Sequence, residues 1–130
     1  MMTTAELRRL LELAAKAIDG TLSEGDTKVR TGPTWDTWEW RGPIGINTGP
    51  DWKPYPRTTI HPQYDDGDSR RLEVKLNLQV NPEIQTDHGP AAAAYDGGYG
   101  IATEPHNGDP CAATRMAVLR AAAAIGEAMP

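Results

Sequence analysis

Phenylalanine is absent from this chain of 130 residues, cysteine occurs once, and neither apolar nor basic residues gather into long runs. The lone Cys111 excludes an internal disulfide and a cysteine-built zinc site, which agrees with a reducing compartment. No apolar stretch approaches the roughly 20 residues that cross a bilayer, and the opening MMTTAELRR has no apolar signal-peptide core. A cytoplasmic protein with no membrane partner is the expectation. Thirteen Lys and Arg stand against eighteen Asp and Glu, a net charge of −5 with the bases scattered. Such a chain repels long nucleic acid. Its length suits a single domain over residues 1–130.

What the chain does have begins with TTAELRRLLELAAKAIDG. Thr3 and Glu6 have capping-box spacing, and Leu7, Leu10, Leu11, Ala14, Ala15 and Ile18 recur on one face of a 3.6-residue period. A helix follows, with Gly20 placed to end it in a left-handed cap. Prolines at 33, 43, 50, 54, 56 and 62 then rule out a long helix and keep any strand short or at an edge. The segment DDGDSRRLEVKLNLQV reads two ways. Leu72, Val74, Leu76, Leu78 and Val80 alternate as a strand would, whereas an Asp-capped helix from about residue 66 to 77, feeding a strand from about Leu78, also brings Leu72 and Leu76 to one face. Asp87-His88-Gly89-Pro90 signals a turn, and Gly97-Gly98 separates strand-like pieces around Tyr95 and Ile101, a hairpin pattern. Asp109 as cap and Pro110 at the first helical position open a final alanine-rich helix to about Ala128. This helix is apolar nearly all round, which fits packing against a sheet or helix and also offers a face for a homodimer or higher homo-oligomer.

Three blocks taken together resemble a widespread group of small proteins of bacteriophages and prophages in high-GC bacteria, the phage ABA-sandwich type. They are ELRRLLELAAKAIDG; WKP followed by DDGDSRRLEVKLNLQV; and GDPCAATRMAVLRAAAAIGEAMP. In that group the central block looks like W-N-P-L-T-D-D-G-D-A-L-R-L-A-V-K-L and the last like D-P-x-A-A-T-R-R-A-I-V-R-A-A-A-E-I-G. Here Ser69-Arg70 stands for Ala-Leu, Glu73 stands for Ala, and PYPRTTIHPQY is inserted before DDGD. The resemblance implies that Asp65 to Asp68 begin a helix containing Leu72, Val74 and Leu76, and that Asp109 and Pro110 anchor the last one. The expected fold is thus α+β, a small antiparallel sheet packed with an N-terminal, a central and a C-terminal helix. The resemblance also implies a phage accessory protein in a bacterial host cell, acting on host defence or host metabolism.

Three of the four tryptophans fall within TWDTWEW, where period-2 alternation puts Trp38 and Trp40 on the face opposite Trp35. Large rings usually serve a core. An outward indole beside a cation can instead stack a base and hold a phosphate. Arg41, Lys53 and Arg57 follow closely on Trp35, Trp38, Trp40 and Trp52, and His61 and Tyr64 complete the candidate ligand-binding set. DDGD lacks the ligand alternation of a calcium loop, and capping accounts for it better. His61, His88 and His106 have no metal-ligand spacing and are read as surface histidines. Gly97 to Gly100 reads as a hairpin turn rather than a phosphate loop, and no catalytic residue, metal or cofactor is assigned. The leading expectation is a non-catalytic protein that sequesters a small nucleotide-type ligand, for which overall negative charge is no obstacle. The alternative is an acidic protein–protein inhibitor of a host defence complex.

Overall fold

The computed structural model describes residues 2–23, 27–31, 37–41, 44–47, 59–97 and 100–130; the side chains of 23, 27–31, 37–41 and 59 lie outside that description. In chain order the elements are α1 (Thr4–Ala17), β1 (Thr21–Ser23), β2 (Thr27–Thr31), β3 (Thr37–Arg41), β4 (Gly45–Asn47), β5 (Thr59–Ile60), α2 (Asp66–Lys75), β6 (Gln79–Thr86), β7 (Gly89–Tyr95), β8 (Ile101–Pro105) and α3 (Pro110–Ala128). All strand pairs are antiparallel, in three small sheets ordered β1-β4-β5, β2-β3 and β6-β7-β8. The fold is α+β, as the sequence led us to expect.

The capping box starts α1: the Thr3 hydroxyl accepts from the Glu6 amide and the Glu6 carboxylate accepts from the Thr3 amide. Its end departs from expectation. Asp19, with φ +58°, takes the left-handed position assigned to Gly20. Glycine is needed at 20 for another reason, since a Cβ there would come within 2.6 Å of the Asn47 carbonyl oxygen.

Of the alternating residues, Leu72 and Val74 lie in α2, Leu76 caps its C-terminus, and Leu78 and Val80 lie beyond it, Val80 in β6. Asp65 caps the start of α2 by accepting from the Asp68 amide at 2.9 Å, so the DDGD segment does act as a cap. Helical geometry buries Leu72, half-buries Leu76 and turns Val74 out to solvent. A β6-β7-β8 meander follows, with the predicted turn at Asp87-His88 and Tyr95 opposite Ile101 in the second hairpin. Strand β6 carries Pro82 without loss because its register shifts between Asn81 and Ile84, a bulge that takes up the missing N–H.

Helix α3 organises the core. It packs on all three strands of the meander, on α2 and on α1. Ala91 to Ala94 of β7 are buried, as are Ala113, Ala117, Val118, Leu119 and Ala121 to Ala123 of α3. Small side chains on both elements let sheet and helix approach closely, so the alanine face of α3 is covered within the chain. Where α1 crosses α3, any Cβ at Gly126 would overlap the Leu13 carbonyl. Leu11, Ile46, Leu72 and Leu119 fill the remaining core, each contributing roughly 1.5–3 kcal/mol by burial. No aromatic ring joins them among the described residues. Nor is any described helix long and apolar enough to cross a membrane.

Candidate functional site

The structure divides the candidate ligand residues. Trp35, Trp52, Lys53 and Arg57 lie outside the described residues. Trp38, Trp40 and Arg41 lie on β3, where the register sets Arg30 opposite Trp38 and Lys28 opposite Trp40; their side chains lie outside the description. His61 and Tyr64 fall together in the turn that joins β5 to α2.

That turn is held from three sides. The His61 carbonyl accepts from the amides of Tyr64 at 3.1 Å and Asp65 at 3.0 Å. The His61 amide donates to Asp68 Oδ2 at 3.0 Å, and Asp68, 1% exposed, also accepts from Arg71 at 2.9 Å. On the far side Arg115 of α3 donates from Nε to the Gln63 carbonyl at 3.2 Å and from Nη1 to Asp66 at 2.6 Å. The imidazole of His61 lies against Gly45, where any Cβ would overlap the ring. A glycine in β4 is thus what makes room for it.

Two buried polar atoms of this turn have no partner among the described residues: His61 Nδ1 and Gln63 Oε1. The Gln63 amide nitrogen donates to the Ile44 carbonyl. Beside Gln63 opens a cleft of about 260 Å³, bounded by Thr3, Thr4 and Leu7 of the α1 start, Gln63 and Tyr64 of the turn, and Met116 of α3. Tyr64 is 64% exposed. Of these residues sequence reasoning had found only Tyr64. The capping box marked Thr3 as a helix start, but nothing in sequence brings residues 3, 63 and 116 together. A second cavity of about 300 Å³ lies between α2 and α3. Its arginines are already matched, Arg70 with Glu73 and Arg115 with Asp66, so it presents no unbalanced charge.

The histidines are not all surface groups. His88 is exposed, but His106 is buried with Nε2 at 2.6 Å from the Pro82 carbonyl oxygen. A carbonyl only accepts, so Nε2 carries the proton and His106 pins the β6 bulge. It is therefore engaged structurally. Among the described residues no three His, Cys, Asp or Glu side chains are grouped as a metal ion would need. Comparison with family models, with curated proteins and with solved structures returns no match.

Proposed function

We propose that this protein binds and sequesters a small nucleotide-type ligand without chemically altering it, as a phage accessory protein in the cytoplasm of a bacterial host. The observation that carries this reading is the cleft beside Gln63. An exposed tyrosine ring stands at its edge, apolar side chains from α1 and α3 line it, and a buried carboxamide borders it. A few convergent polar groups in an otherwise apolar cleft are the ordinary makeup of a small-molecule site. The phage setting rests on the three resembling sequence blocks. Calorimetry against mononucleotides, cyclic nucleotides and ADP-ribose tests the proposal. Saturable heat with at least one is expected, weakened about tenfold by Tyr64→Ala, since base–aromatic stacking contributes ~1–3 kcal/mol. No heat with any of them at high protein concentration ends it.

A second reading, inhibition of a host defence complex by protein–protein contact, draws on the meander. Tyr95 and Ile101 are exposed directly opposite one another on β7 and β8, beside the uncharged Gln79. Exposed aromatic and aliphatic groups on an uncharged patch suit an interface centre. This reading expects a host protein to co-purify at equal stoichiometry through a salt wash and to be lost in Ile101→Asp. Retention of the partner by that variant counts against it.

A further inference from the structure

No Asp, Glu, Lys, Arg or His lines the cleft beside Tyr64. In a chain that is 24% charged this sets the cleft apart, because a site that held a phosphate would carry a cation or a group of free donors. Its walls are apolar at depth and neutral at the mouth. Leu7 and Met116 are partly buried and pack against the core, while Thr3, Thr4 and Tyr64 are exposed.

The charged groups bonded to these lining residues are not free for a phosphate either. The start of α1 borders the cleft, but its capping box returns the Glu6 carboxylate to the Thr3 amide at 3.0 Å and the Glu6 amide to the Thr3 hydroxyl at 3.1 Å. A carboxylate therefore stands where the helix dipole would otherwise draw an anion. Arg115, whose Nε donates to the Gln63 carbonyl, gives Nη1 to Asp66 at 2.6 Å. The chain as a whole carries −5, so its long-range field does not favour a further anion.

Size points the same way. At about 260 Å³ the cleft falls below the roughly 300–1,000 Å³ of drug-sized pockets, which suits one ring system with the rest of a nucleotide outside it. Met2 and Met116 carry unbranched side chains that adapt to an entering ring. The Tyr64 ring offers it a stacking face that any base can use. A phosphate left at the mouth keeps its water and gains nothing from the lining residues.

We infer that this cleft holds the uncharged ring of a nucleoside and leaves phosphate in solvent, so that it binds nucleosides and nucleotides alike. The inference rests on the nucleotide-binding reading above and names the part of the ligand that is held. Calorimetry of the full chain with adenosine and AMP, which differ only in the phosphate, decides it. Affinities within about threefold of one another are expected, whereas a charge-assisted bond to the phosphate would favour AMP by about tenfold or more. Added salt should leave adenosine binding unchanged and should not weaken AMP. Tyr64→Ala, at an exposed position, is expected to weaken both probes equally, by about tenfold. Thr4→Lys, also exposed, puts a cation among the lining residues and is expected to tighten AMP alone, by about threefold. A wild-type difference beyond about threefold, or loss of AMP affinity with salt, overturns the inference and leaves nucleotide binding standing. Binding that is indifferent to Tyr64→Ala, or no gain for AMP in Thr4→Lys, overturns the placement of the ring in this cleft. No heat with adenosine, AMP or any other nucleotide removes the inference together with the reading beneath it.

Discussion

Where α1 crosses α3, the Gly126 backbone lies on the Leu13 carbonyl with no room for a methyl group; at the His61–Tyr64 turn, two buried polar atoms have no partner among the described residues, and Gln63 and Tyr64 of that turn border an open cleft. The crossing is close-packed in the manner of protein interiors generally. The turn breaks the rule that buried polar groups are matched, although Asp68, Arg115 and the Ile44 carbonyl all hold it in place. Departures of this kind concentrate where a protein binds or acts, because stability alone would not keep them. The contrast therefore separates residues that hold the fold from residues that keep a site open.

Mutations can break or sharpen that contrast. The largest effect is expected from Gly126→Ala. Replacing glycine inside a helix normally gains up to about 1 kcal/mol in propensity, but overlap with the Leu13 carbonyl costs about 3 kcal/mol, so urea denaturation should show net destabilisation. A neutral or stabilising result would mean that the helices separate easily. Asp68→Ala comes next. Removing a buried carboxylate that accepts from the His61 amide and from Arg71 should cost ~2 kcal/mol, seen as a lower thermal midpoint. Thr3→Ala deletes one half of the capping box and should cost about 1 kcal/mol, with amide exchange quickening first in the opening turn of α1. Gln63→Met should lie within about 1 kcal/mol of wild type, since the lost bond to Ile44 is offset by removal of an unpaired oxygen. A large loss there would make Gln63 a structural post. Smallest of all, Tyr64→Ala should shift stability by no more than ~0.5 kcal/mol while weakening the ligand, and a drop in melting temperature would place the ring among the packed residues.

Most of the frame was legible in the chain because its signals are local. Thr3 with Glu6, Asp65 before the leucines and Asp109-Pro110 each name a helix start from neighbours within a few residues. The leucine alternation misleads: by period it reads as a strand, and the resemblance of the DDGDSRRLEVKL block, not the leucines, points to the helix that Asp65 caps. The position of Gly20 was assigned to a left-handed cap on local grounds, whereas its real constraint is Asn47, which is distant in sequence. The same limit applies to the site. Tyr64 stands out by composition, but Gln63 is an ordinary residue until Ile44 fixes its amide and the starts of α1 and α3 form a cleft around it. His106 is similar, a histidine in a loop by sequence and a buried clasp on Pro82 once β6 and β8 are brought together.

That clasp has a further consequence. Open sheets present unpaired backbone at their outer strands, where other copies can add and grow into fibres. In the meander the outer strands are β6 and β8. The first is interrupted by a bulge at Pro82, fastened by His106, and the second ends at Pro105, so each margin has a position with no N–H to offer a newcomer. Lateral polymerisation along this sheet is thereby discouraged.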